Sequence, residues 1–297
     1  MRLDTVGFCG VDDSVDLEEL VSLSAQHPWI EWGVLLRPDF QGRPRYAGPQ
    51  VLERLGLLTA GGTVDAKAET ESDLEPSRKR ARPEASPHAK DERTADGGAL
   101  RVAAHFCGED CLRALNGDVD HILQMRRLIG FRRMQINPTA ANAAGEWVPE
   151  AAAQGLRAVA AAMPDVELIL QVNDETLPLA RFLFEDEHCA APPNFARLFD
   201  ASCGLGLAPA EHPAPLRGVH CGYAGGMGPD TVAAQLKRIS TACEGYEGTV
   251  WIDMESGIRG VSSDGRDVFD LGRVRCVIAE VEKAGVLVAP VLLAASL

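Results

Sequence analysis

The sequence predicts an α/β fold, a single-domain (β/α)8 barrel of the TIM type. Three observations predict it. Eight short β-type runs alternate with helix-type stretches along the chain. The last two runs open strand-loop-helix units of one type, Arg217 to Asp230 and Thr249 to Gly257, each with a glycine-bearing turn. Two such units near a C-terminus commonly form a phosphate cradle, where backbone N–H groups point at an anion. The length also fits. Of 297 residues, those from 60 to 98 carry Gly, Pro, Ser, Glu, Lys and Arg with almost no large apolar side chains. Such a stretch buries too little surface to offset its ordering entropy and reads as a disordered insertion in a surface loop. The domain therefore spans 1–297, interrupted by 60–98, and roughly 260 residues remain against the ~250 typical of the fold.

The elements follow in order. Thr5–Cys9 is the first β-type run, and Leu17 to Leu23 has helical spacing after Ser14. Trp32–Leu36 and Leu100–Phe106 are the second and third runs, on either side of the insertion. Arg133–Ile136 is the fourth; the Ala-rich stretch Pro149 to Met163 follows, with Pro149 suited to a first helical turn. Glu167–Val172, Arg197–Asp200 and Gly218–Cys221 come next. A helix over Asp230 to Thr241 has Val232, Leu236 and Ile239 on one face. Val250–Met254 is the eighth run, and Asp270 to Lys283 puts Leu271, Val274, Val277, Ile278 and Val281 on one face. Eight such alternations favour closure into a barrel. An open doubly wound sheet fits less well, because no G-x-G-x-x-G follows the first run.

Composition narrows the function classes. The chain is 46% hydrophobic, enough for one large core. Its net charge of −14 and pI near 5.0 argue against nucleic acid or an anionic membrane as partner. An anion site would have to work locally, through backbone dipoles. Met1-Arg2-Leu3-Asp4 reads as neither signal nor transit peptide. No apolar run approaches the ~20 residues of a membrane helix, and the longest, Val286 to Leu297, is broken by Pro290. Eight cysteines without paired spacing read as reduced thiols in a cytoplasmic protein. The basic cluster Arg78-Lys79-Arg80-Ala81-Arg82 is similar to a nuclear-localisation signal, but acidic neighbours such as Glu69, Glu71, Asp73 and Glu75 make a solvated charge cluster the simpler reading. His105, Cys107 and Cys111 lack the second pair of a structural zinc site, so no metal is expected.

Barrel sites lie at the C-terminal ends of strands, so the run ends are the candidate site. They are Cys9-Gly10, Arg37 with Arg43-Pro44-Arg45-Tyr46, His105-Phe106-Cys107-Gly108, Gln135-Ile136-Asn137-Pro138, Gln171-Val172-Asn173-Asp174, Asp200 with the glycine loop after it, and the two C-terminal turns. Several of these match one family. Gly7-Phe8-Cys9-Gly10-Val11 resembles K-I-C-G-I, and Gly42-Arg43-Pro44-Arg45-Tyr46 resembles a segment carrying S-P-R-Y. Leu198-Phe199-Asp200 resembles L-L-D-T, and Ala224-Gly225-Gly226-Met227-Gly228-Pro229-Asp230 resembles S-G-G-L-x-P-E. Ile252-Asp253-Met254-Glu255-Ser256-Gly257 resembles V-D-V-S-S-G, and Gly265-Arg266-Asp267 resembles the G-x-K-D that starts the last helix. Together they resemble phosphoribosylanthranilate isomerase, the barrel enzyme of tryptophan synthesis, in a diverged branch.

The resemblance implies an Amadori rearrangement of an aminoaldose to an aminoketose, without cofactor. It implies Asp200 as the general acid that opens the sugar ring and Cys9 as the general base that takes the C2 proton. It implies Arg45 holding a substrate carboxylate, and Gly225, Gly226, Ser256 and Gly257 presenting N–H groups to a phosphate. Asp253 would contact a substrate hydroxyl or orient loops at the barrel mouth. A thiol near positive charge can reach thiolate, and a carboxyl in a partly apolar pocket can keep its proton. Three positions depart from the family: Gly7 replaces a lysine, Asn137 a histidine, and Glu255 the first serine of S-S-G. A carboxylate there repels an anion. The implied function is thus isomerisation of a small phosphorylated or carboxylated sugar derivative. The alternative is a non-catalytic barrel that acts as a ligand- or protein-binding module. Cys9 and Asp200 facing one open pocket would favour the enzyme; a filled pocket with Glu255 in the phosphate position would favour the module. Aldol-type chemistry would need a strand-end lysine, and none stands there.

Overall fold

The computed structural model describes residues 1–62, 100–185, 190–201 and 206–288. Eight parallel strands close a barrel in sequence order: β1 (Leu3–Cys9), β2 (Ile30–Leu36), β3 (Val102–Phe106), β4 (Arg133–Ile136), β5 (Glu167–Val172), β6 (Phe195–Phe199), β7 (His220–Tyr223) and β8 (Val250–Met254). The ring is completed by β8 on β1, with Gly7 opposite Asp253. The helices are α1 (Leu17–Gln26), α2 (Pro49–Thr59), α3 (Gly108–Leu115), α4 (Val119–Ile129), α5 (Pro149–Ala162), α6 (Leu177–Phe184), α7 (Val232–Ala242) and α8 (Leu271–Ala284).

The predicted runs coincide with β4, β5 and β8. The seventh lies two residues later than predicted, because Gly218 adopts φ +77, outside the extended region. Two helices, α3 and α4, join β3 to β4, and the described residues between β6 and β7 form no helix. The second glycine turn also differs from the expectation that a helix follows it directly. A 3-10 turn over Ser256–Ile258 leads into an antiparallel hairpin, β9 (Arg259–Val261) with β10 (Asp267–Phe269). Gly265-Arg266-Asp267, read as the start of the last helix, therefore lies in this hairpin, where Gly265 turns the chain at φ +83. The helix begins at Leu271, because the Asp270 carboxylate accepts the Arg273 N–H and caps it.

The insertion beyond Gly62, with the basic cluster Arg78 to Arg82, lies outside the described residues, as do Cys189, Cys203 and most of the C-terminal apolar run. The start of that run pairs with the first strand, through Leu3 N–H to Val286 and Val288 N–H to Leu3.

Strand alternation divides the core. Outward residues such as Val6, Phe8, Trp32, Val34 and Phe106 pack with Leu20, Leu55, Leu156 and Val277 of the helix ring. Inside the barrel, Ile169, Ala196, Leu198, Ala224 and Trp251 make a second apolar cluster. The Trp251 ring fills the space left at Gly222, where a Cβ would stand 2.0 Å from it. Charged residues lie towards the N-terminal ends of the strands. Arg133 donates to Glu31 at 2.7 Å and Glu167 at 2.6 Å, and its guanidinium stacks 4.2 Å from the Trp251 ring. His220 bridges Glu167 at 2.7 Å and Asp4 at 3.1 Å. The strand ends that carry the candidate residues form the opposite, C-terminal mouth.

Candidate active site

A cavity of about 330 Å³ opens at that mouth. Cys9, Asp200, Asp253, Gly225, Gly226, Ser256 and Gly257 all line it. These residues sit at or just past strand ends, so closing the barrel brings together positions far apart in the chain; Arg45, in the connection after β2, is not among the residues lining this cavity.

Cys9 ends β1 with its thiol buried against Leu35 and Cys107. Its Sγ lies 3.2 Å from Nδ1 of His105 on β3. Burial, and then Asp253 and Glu255, push the thiol well above its ordinary value. The expectation of a thiolate near positive charge is not met: burial, with Asp253 and Glu255 adding to it, keeps Cys9 a thiol. Burial, followed by the charge of Arg133, lowers His105 to about 3, so the imidazole is neutral. The thiol and the neutral ring are within hydrogen-bond distance of each other.

Asp253 ends β8 with Oδ2 4.0 Å from His105 Nδ1. Burial is the largest cause raising its carboxyl to about 8; Glu31 and Glu255 add to it against Arg133. Gly7 explains how it fits. A Cβ on Gly7 would stand 2.4 Å from Asp253 Oδ1, so glycine at this position makes room for the carboxyl.

Asp200 lies just past β6, buried, and its Oδ2 accepts the Gln171 amide at 2.6 Å. Gln171 in turn accepts from Asn142 at 3.5 Å, and Gln135 donates to Asn137 at 2.9 Å. Asn137 donates to the Cys107 thiol at 3.5 Å. These four carboxamides line the cavity. Gln135, Asn137 and Gln171 belong to the run ends already read as the candidate site, whereas Asn142, in the connection after β4, escaped the sequence reading.

The two glycine turns pack against each other. A Cβ on Gly257 would stand 1.9 Å from the Met227 carbonyl oxygen. Gly225 and Gly226 have φ of +100 and +61, and the connection after β6 lies against them, with Ala208 N 2.4 Å from a Cβ built on Gly226. Arg273, in the first turn of α8, donates Nε to the Gly257 carbonyl at 2.9 Å and lines the cavity. It is a cation beside the cradle that strand-end reasoning could not locate.

Arg45 stands at the rim. Its guanidinium donates to Glu255 and to Asp267, both at 2.9 Å, and Nη1 lies 3.4 Å from the Ser256 hydroxyl. Glu255 lines the cavity with its carboxylate turned to Arg45. His105 Nδ1 contacts Cys9, and the Cys107 thiol donates to Asn142 Oδ1 at 3.6 Å. Among the described residues, no group of three or more His, Cys, Asp or Glu is arranged to hold a metal ion, and no helix is long and apolar enough to cross a membrane.

No family model and no curated protein matches the chain. Among solved structures it is similar to phosphoribosyl anthranilate isomerase from Thermococcus kodakaraensis, with a TM-score of 0.44 and 11% identity over 94% of this chain and 99% of that one. It is also similar to a mutant xylanase A of P fluorescens subsp. cellulosa in complex with xylopentaose, with a TM-score of 0.24 and 12% identity over 90% of this chain and 82% of that one.

Proposed function

We propose that the chain is an isomerase performing Amadori-type aldose-to-ketose chemistry on a small phosphorylated or carboxylated sugar derivative. One observation carries the reading: Cys9 and Asp200 line the same open cavity as the two glycine turns. In this mechanism Asp200 protonates the ring oxygen as the C1–O bond breaks, giving a Schiff base. Cys9 then removes the C2 proton, and the enol formed tautomerises to the ketose. Because Cys9 rests as a thiol, its own proton must leave before it can act as base; His105 Nδ1 lies 3.2 Å from the sulfur. The cavity's carboxamides suit sugar hydroxyls, since each offers donors and an acceptor. The N–H groups of the turns, with Arg273, suit a phosphate.

The binding-module alternative draws on Glu255, which lines the cavity. Its carboxylate is turned to Arg45 and the cavity stays open, which favours the enzyme. The test is turnover of N-aryl phosphoribosylamines, phosphoribosylanthranilate among them. Cys9→Ala and Asp200→Ala should each lower kcat by about 10²-fold or more. Turnover that survives both substitutions would rule out these roles.

A further inference from the structure

Arg45 is already answered by the chain itself. Its backbone takes φ +77, uncommon for a residue with a Cβ, and its N–H donates to Asp12 at 2.6 Å. Its guanidinium reaches Glu255 and Asp267. Arg259 closes the ring of contacts, donating to Asp267 at 2.8 Å, Asp12 at 2.7 Å and the Gly10 carbonyl at 2.8 Å. A substrate carboxylate arriving at Arg45 would have to displace Glu255 and leave that charge without its partner at the cavity wall. The lining adds to this. Among the described residues it holds four carboxyl groups, Asp200, Asp230, Asp253 and Glu255, and one guanidinium, Arg273, which donates to the Gly257 carbonyl. One anion can be matched at Arg273; a second beside Glu255 meets like charge.

We propose that Glu255 determines specificity by occupying Arg45, so that the substrate is an aminoaldose phosphate whose nitrogen substituent bears no carboxylate. This rests on the isomerase reading above and narrows it. Glu255 selects against an anionic substituent by repulsion, where a serine at the same position would leave Arg45 open to one.

The test is calorimetric binding of two stable product analogues to the full chain. They are the alcohol forms of 1-(phenylamino)-1-deoxyribulose 5-phosphate and of its 2-carboxyphenyl counterpart. The phenyl compound should bind at least tenfold more tightly. Glu255→Ser should raise affinity for the carboxyphenyl compound at least tenfold more than for the phenyl compound, since removing the charge helps the phosphate of both but the second anion of only one; Glu255→Gln, closer in size, should act in the same direction and serves if the serine variant does not fold. Equal binding, a carboxyphenyl preference in the unaltered chain, or a ratio unmoved by either variant overturns the specificity assignment and leaves the isomerase reading standing. Failure of both compounds to bind, together with no turnover of any N-aryl phosphoribosylamine, overturns both.

Discussion

Asp253 shows how much one residue depends on its surroundings. Its carboxyl, raised to about 8 mainly by burial, stays protonated in the folded chain where an unfolded aspartate would ionise. The folded state therefore binds the extra proton between about pH 4 and 8. The stability this group contributes is complete below about pH 4 and is lost as pH rises through 8. Asp253→Asn, which cannot ionise, should gain thermal midpoint over the unaltered chain as pH goes from 5 to 9; a difference that stays flat across that range would count against a buried, protonated carboxyl. His105 makes a second test at this scale. If it accepts the proton of Cys9, His105→Gln should lower kcat by about 10²-fold and change the basic limb of the pH–rate profile, with KM moved far less. Cys9, Asp200 and Asp253 were readable as candidates because strand-end positions in a barrel carry chemistry. Their states were not readable. The thiolate expected of Cys9 fails first because the closed barrel buries the thiol, and then because Asp253 and Glu255, more than 240 positions away in the chain, add to that effect.

At the scale of elements, glycines mark where strands and turns approach too closely for a side chain. Gly222 on β7 leaves the space that Trp251 on β8 fills. Gly222→Ala should cost about 1–3 kcal/mol by overpacking, measured by urea denaturation. The turn glycines constrain function as well as packing. Gly257→Ala must shift one turn against the other, because the Met227 carbonyl leaves no room. It should weaken binding of inorganic phosphate, read by calorimetry, as well as lower stability. Strand positions were legible to within about two residues, since parallel barrel strands are short buried runs between helices. The β9–β10 hairpin was not. Its strands have three residues each, and Ser262-Ser263-Asp264-Gly265 was passed over as a connection although it reads as a turn.

For the whole molecule, the ion network towards the N-terminal ends of the strands sets the pH limits of the fold. Burial would raise Glu167, but Arg133 and His220 outweigh it and hold the carboxylate near 2. Burial would lower His220, but Asp4 and Glu167 outweigh it and raise the imidazole to about 9. The Glu167 contribution is present above its ordinary value and lost as pH falls towards 2. The His220 contribution is present below its ordinary value and lost as pH rises through 9. His220→Gln should therefore flatten the alkaline fall in thermal midpoint and lower stability near neutrality by roughly 1.5–3 kcal/mol, the usual worth of hydrogen bonds to charged groups. An unchanged alkaline limb would separate His220 from that fall.

The sequence by itself determined that the chain is a (β/α)8 barrel, which strand ends face the mouth, and where the glycine turns lie. Those properties follow from local periodicity and from a topology that orders strands as the chain does. Only the tertiary structure decided that Cys9 meets His105, that Gly7 makes room for Asp253, that Arg273 joins the cradle, and that Glu255 answers Arg45. These pairings depend on closure of β8 on β1 and on side-chain directions at the rim, and charge and burial at close range set proton states and specificity through neighbours no local stretch of sequence contains.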